Sequence, residues 1–173
     1  DGVLRARGLG AELVPPVSLV LDDLCIYYDP ARPSRLEDWI AKRHNLRADQ
    51  RLRARKLIRI LIEGNLSKYN LGGALPHMPL GQRVLVVGQG EDDASVRLGA
   101  GEIQTNEALL KRARAERPDG FLLYKPHPDV EAGLRTGACN SERFADVVAR
   151  RSAIAALLAE VDEVWSLPSL TGF

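Results

Sequence analysis

Val84-Leu85-Val86-Val87-Gly88-Gln89-Gly90-Glu91-Asp92-Asp93-Ala94-Ser95 decides how the rest of the chain is read. An unbroken apolar run stops at a glycine and passes into three consecutive acids. Such a run reads as a strand buried on both faces, as in a parallel sheet. In open α/β sheets, ligands sit beyond the carboxyl ends of the strands. The strand is therefore expected to deliver carboxylates into a ligand-facing loop. Two further runs end the same way. Gly120-Phe121-Leu122-Leu123-Tyr124 leads into Lys125-Pro126-His127-Pro128. Val161-Asp162-Glu163-Val164-Trp165 leads into Ser166-Leu167-Pro168-Ser169-Leu170-Thr171-Gly172. Acids, then Lys and His, then small hydroxyls are what an anion-handling site needs.

Between these runs lie helical patterns. Leu109, Leu110 and Ala113 mark the inner face of a helix over 106–117, with Thr105 or Asn106 as N-cap. Ser152 is expected to cap a helix over 153–159 that buries Ile154, Leu157 and Leu158. Residues 129–146 read as irregular. The strand order βαβαβ predicts a parallel, Rossmann-type half-domain over 83–173 with right-handed crossovers.

Upstream the pattern changes. Residues 1–16 carry Gly8-Leu9-Gly10 and Pro15-Pro16 and read as loop. Residues 17–28 read as a hairpin with Asp22-Asp23 as its turn. Ser34 and Glu37 form a capping-box signature, so a helix should start there with Leu36, Trp39 and Ile40 on one face. A longer helix over 48–63 places Ala54, Leu57, Ile58, Leu61 and Ile62 on one stripe. Arg51, Arg53, Arg55, Lys56 and Arg59 lie on its other face, either a solvated surface or a patch for anionic lipid. Gly64-Asn65 should end it. The turn-rich stretch 65–82 is read as a linker. The expected division is thus 1–75, a hairpin and helices leading into the linker, and 76–173, a Rossmann-like domain.

Composition excludes several classes. At 173 residues, with 45% hydrophobic and 27% charged, the chain fits a soluble globular protein. A net charge of +1 gives no nucleic-acid-binding surface. Cys25 and Cys139 lack metal spacing and are expected to be free thiols in a reducing compartment. No segment reads as a membrane span or signal peptide. The chain begins at Asp1 without Met and stops where a helix should begin, so it is expected to be an excerpt of a longer polypeptide.

Each candidate site has a plain alternative. Glu91, Asp92 and Asp93 could be a solvated loop. Following a glycine at a strand end, one of them could instead face inward as nucleophile, general base or metal ligand. Gln89 and Ser95 add neutral hydrogen-bonding groups. Gly88-x-Gly90-x-x-Asp93 is not a dinucleotide fingerprint, because Asp93 would repel a pyrophosphate. In Lys125-Pro126-His127-Pro128 two prolines fix the backbone around one histidine. His127 could donate to a phosphate and Lys125 supplies positive charge, against the alternative of a surface turn. Ser169, Thr171 and Gly172 precede a presumed helix and could hold an anion or simply cap it. His44 and His77 read as structural or surface residues. The histidines have no zinc spacing, and no metal is expected.

At these motifs the chain resembles the capsule-polysaccharide β-Kdo transferases, bacterial GT-B glycosyltransferases that build a Kdo linker on lipid. The resemblance runs through Gly8-Leu9-Gly10, Val14-Pro15-Pro16, Tyr27-Tyr28-Asp29-Pro30 and Ser67-Lys68-Tyr69-Asn70. Its most specific parts are the acidic loop from Gly88 to Ser95, Tyr124-Lys125-Pro126-His127-Pro128-Asp129-Val130, and Ser169-Leu170-Thr171-Gly172-Phe173. It implies a GT-B-like fold, a CMP-Kdo donor, a glycolipid acceptor and a retaining reaction without cofactor. Asp93 would be the nucleophile, with Glu91 and Asp92 as alternates. His127 would stabilise the CMP phosphate, and Lys125, Ser169, Thr171, Gly172 and Gln89 would help to hold CMP. Gly90 and Trp165-Ser166 depart from the family pattern. The implied setting is cytoplasmic, with peripheral contact to the inner membrane and the capsule-assembly machinery. A GT-B site lies between two Rossmann-like domains, so the chain as given is expected to be inactive alone. The alternatives are a non-catalytic capsule-assembly or export component, or a GT-B transferase using another nucleotide sugar.

Overall fold

The computed structural model describes residues 21–64 and 73–169. Four parallel strands form one sheet: β1 (Arg83–Val87), β2 (Phe121–Lys125), β3 (Val147–Val148) and β4 (Glu163–Ser166), in the order β3-β2-β1-β4. Val84, Leu85 and Val86 have no solvent exposure at all. The reason is that both faces of the sheet are covered. On one face Val84, Val86, Leu122 and Tyr124 pack with Val96 of α3 (Ala94–Gly99) and with Leu109, Leu110 and Ala113 of α4 (Asn106–Glu116). On the other, Leu85, Val87 and Leu123 pack with Ala149 and with Leu157 of α6 (Ile154–Leu158). A crossover that reverses its direction along the sheet, while keeping its hand, must put its helix on the opposite face.

The register brings the strand ends level. Val87 pairs with Lys125 on one side and with Ser166 on the other. From β1 the chain moves to β2 and β3, then returns to place β4 on β1's far side. The direction reverses between β1 and β4, which makes that boundary the topological switch point where α/β proteins open their ligand crevice. The GT-B-like, Rossmann-type reading of the fold holds for this sheet.

Several expectations need correction. Residues 21–28 form no strand; residues 17–20 lie outside the described residues. The Asp22 carboxylate is used elsewhere: Oδ1 accepts from Leu24 N and Cys25 N, and Oδ2 accepts from Arg35 N and Leu36 N. It thus helps to cap α1 (Arg35–Lys42) instead of turning a hairpin. Ser152 does not cap α6. Its hydroxyl donates to Ala74 O at 2.9 Å, and Ala153 is the N-cap. Leu158 stays 38% exposed. The stretch read as irregular holds the single turn α5 (Pro128–Glu131) and a 3-10 turn at Ser141–Arg143. The sequence reading has neither α3 nor β3.

Other expectations stand. Ser34 and Glu37 make both halves of the capping box, and Thr105 Oγ1 accepts from Ala108 N to cap α4. The helix α2 (Ala48–Glu63) ends at Gly64. Neither α1 nor α2 buries a residue among those described: Trp39, Leu57, Ile58 and Ile62 are all more than half exposed. Both cysteines are free. No described helix is long and apolar enough to cross a membrane.

Candidate active site

The acidic loop leaves β1 at Gly88, whose N–H donates to Lys125 O at 2.8 Å. Beyond it the three acids diverge. Glu91 turns to the helix α4, where Oε1 accepts from Asn106 N at 2.8 Å. Asp92 stays exposed at the surface. Asp93 turns inward and is the N-cap of α3. Its Oδ1 accepts from Ser95 N at 3.0 Å and from Ser95 Oγ at 2.8 Å.

A residue absent from the sequence reading joins two of these acids. Arg135 donates from Nε to Asp92 Oδ1 at 3.0 Å and from Nη1 to Asp93 Oδ2 at 3.1 Å. Its side chain is 17% exposed. Burial alone would raise the Asp93 carboxyl. The Ser95 hydrogen bonds and the Arg135 guanidinium outweigh that and hold it below the usual carboxylate range. Burial likewise opposes charge on Arg135, and the two carboxylates more than offset it. Asp93 is therefore an ionised carboxylate with both oxygens engaged.

Asn106, read from sequence only as a possible N-cap, has a larger role. It is fully buried. Its Oδ1 accepts from Gln89 N at 2.9 Å, and Nδ2 donates to Gln89 O and Gly137 O, each at 2.8 Å. One side chain thus fixes the backbone of Gln89, the start of α4 and the loop that carries Arg135.

At the end of β2, Lys125 is 4% exposed. Strand alternation puts it on the sheet face opposite Tyr124. Its Nζ lies 3.8 Å from Glu131 Oε2, and burial lowers its pKa against the pull of that carboxylate. His127 is the N-cap of α5: Nδ1 accepts from Asp129 N at 3.2 Å. An Nδ1 that accepts is unprotonated, and a neutral ring in that tautomer presents Nε2–H as its donor. Asp129, 4% exposed, leaves Oδ1 buried without a hydrogen-bond partner, an acceptor in the same strand-end loop.

At the end of β4, Leu167 is buried in the α3 side of the core, and Pro168 O lies 3.5 Å from Ser95 Oγ. The loop carrying Ser169 therefore adjoins the start of α3, next to Asp93. Thr171 and Gly172 lie outside the described residues. Among the described residues, no three of His, Cys, Asp and Glu gather as a metal site. The arrangement offers an anchored carboxylate at the switch point, with a lysine and an imidazole donor on the adjoining strand end.

Residues 75–173 match the family described as capsule polysaccharide biosynthesis protein. The chain is 43% identical over 178 residues to the capsule polysaccharide modification protein LipA of Neisseria meningitidis serogroup B, taking in all of this chain and 25% of LipA. It is 40% identical to the lipopolysaccharide-processing protein LpsZ of Rhizobium meliloti, over 41% of that protein. Two solved structures from Thermosulfurimonas dismutans KpsC share the fold. The β-Kdo 2,4-transferase superposes with a TM-score of 0.82 at 32% identity, covering 99% of this chain and 55% of the other. The β-Kdo 2,7-transferase gives 0.74 at 31%, covering 96% and 51%. The chain spans a quarter to somewhat over half the length of these proteins.

Proposed function

Because the chain belongs to the capsule polysaccharide biosynthesis protein family, we propose that it carries part of the catalytic site of a retaining glycosyltransferase that moves Kdo from CMP-Kdo to a glycolipid acceptor. The observation that carries this reading is the ionised, half-buried Asp93 at the switch point, anchored through Oδ1 by Ser95. The likeness to the two β-Kdo transferases supports it.

On this reading Asp93 attacks the anomeric carbon. That carbon's bond to the phosphate oxygen breaks, and its electron pair leaves with CMP. The acceptor hydroxyl, losing its proton to water, then displaces Asp93 as a free carboxylate from the opposite side, so two inversions give net retention. His127 Nε2–H and Lys125 offset charge on the departing phosphate, which is why no metal ion is needed. Gln89, Ser169, Thr171 and Gly172 hold the nucleotide. Residues 1–75 belong to the end of the N-terminal domain and 76–173 to the nucleotide-sugar domain. The enzyme works in the cytoplasm and reaches its acceptor at the inner-membrane surface.

One observation favours a second reading, a non-catalytic capsule-assembly component: Asp93 also caps α3 and is paired to Arg135, roles that need no chemistry. The test is a donor panel of CMP-Kdo, CMP-sialic acid and UDP-sugars on the full-length protein, run beside Asp93→Asn. Asn caps helices as well as Asp, so the fold should hold. Transfer from CMP-Kdo should fall by about 10³-fold or more. Normal turnover by the variant would remove Asp93 from the chemistry, and no turnover of any donor by the natural protein would favour the second reading.

A further inference from the structure

We propose that Arg135 recognises the carboxylate of the donor sugar and, by exchanging partners, frees Asp93 to attack; the inference rests on the reading above. The need for release is visible at Asp93. Oδ1 holds two Ser95 donors and Oδ2 holds Arg135 Nη1. An oxygen that accepts a hydrogen bond from a guanidinium has a lone pair engaged and is a poor nucleophile. Oδ1 belongs to the helix cap, so Oδ2 is the oxygen that can be spared, and Arg135 is what must leave it.

The loop is shaped to seat that guanidinium. Gly90 leaves room for it: a Cβ there would lie 2.7 Å from both Cζ and Nε of Arg135, so a side chain at this position would make the guanidinium shift. The strand-end loops are also laced together: Arg135 N donates to Asp129 O at 3.2 Å, and Glu91 N donates to Thr136 O at 3.0 Å. The arginine is thus placed by the backbone of both loops.

The chemistry of a 2-ulosonic acid supplies the exchange partner. In such a sugar the anomeric carbon itself bears the carboxylate. As Oδ2 bonds to that carbon, Asp93 loses its charge, and the donor carboxylate arrives one bond from the reacting atom. Arg135 passes from one carboxylate to the other and keeps its proton; Asp92 holds Nε throughout. An aldose donor brings no carboxylate, so Arg135 stays on Asp93. The residue therefore selects ulosonic-acid donors over ordinary sugar nucleotides.

The test uses the full-length enzyme with CMP-Kdo and its C1 methyl ester. The natural protein should show a kcat/KM at least about 10-fold higher for the free acid, because a charge-assisted hydrogen bond is lost with the ester. Arg135→Met should lower kcat/KM for the acid by about 10- to 100-fold, erase the preference over the ester, and leave the Kd for CMP alone unchanged. Arg135→Lys, which keeps charge but not the fork, should fall between. Equal use of acid and ester by the natural protein, or a preference that survives in Arg135→Met, would overturn the inference. The ester comparison on the natural protein needs no variant to fold. No turnover of CMP-Kdo by the natural protein would instead sink the functional reading itself.

Discussion

Asn106 ties together three segments that sequence keeps apart. Its side chain serves Gln89 and Gly137, 17 and 31 positions away, and its N–H serves Glu91. Asn106→Ala would strand Gln89 N and two carbonyls around a side chain that is itself fully buried. Each buried unsatisfied group costs about 1–3 kcal/mol, so the substitution should destabilise by roughly 3 kcal/mol or more. Urea denaturation checks this, and a loss below about 1 kcal/mol would show the network to be slack. The same distances explain what could be read at this scale. Asp93 was legible because glycine, acids and strand end are contiguous. Arg135 was not: it meets Asp92 and Asp93 across 43 and 42 positions, and nothing local marks it out among the many other arginines.

Among the elements, β4 is held to α4's end by one acid. Glu163 accepts a fork from Arg117 at 2.8 and 3.0 Å, and Trp165 Nε1 at 2.8 Å. The hydrogen bond from Arg117 is the main cause holding the Glu163 carboxyl below its ordinary value of 4.5. A carboxyl depressed in the folded state contributes stability above its unfolded pKa, and that contribution fades as pH falls through the folded pKa. Glu163→Gln should therefore flatten the loss of stability below about pH 4.5 and cost under about 1 kcal/mol at pH 7, the pair being partly exposed. Denaturation curves from pH 7 to 3, read by Trp165 fluorescence, test it; an unchanged acid slope would deny the linkage. Elements with a long apolar run or a clear cap (β1, β2, β4, α4) were legible. The two-residue β3 and six-residue α3 carry too few positions for a period. Asp22 misled because a turn former and a helix cap share the same side-chain chemistry.

For the molecule as a whole, the doubly covered parallel sheet followed from the βαβαβ order, while the return of β4 to the far side of β1 did not. Strand order is set by which faces the crossover helices find, and those contacts are long-range. The apolar stripe of α2 was legible too, yet it stays exposed among the described residues, in a chain that spans 55% of the KpsC transferase it superposes on. The β1–β4 pairing has a kinetic consequence. Val84 meets Leu122 on β2 but must wait for Glu163 on β4, the longer loop to close. Truncations at Leu85 and Leu123 should therefore slow refolding, while those at Val164 should mainly hasten unfolding. High φ-values in β4 would reverse that order. If it holds, the crevice beside Asp93 is the last part of this sheet to be made, and a nascent chain carries its acids long before it has the strand that turns them into a site.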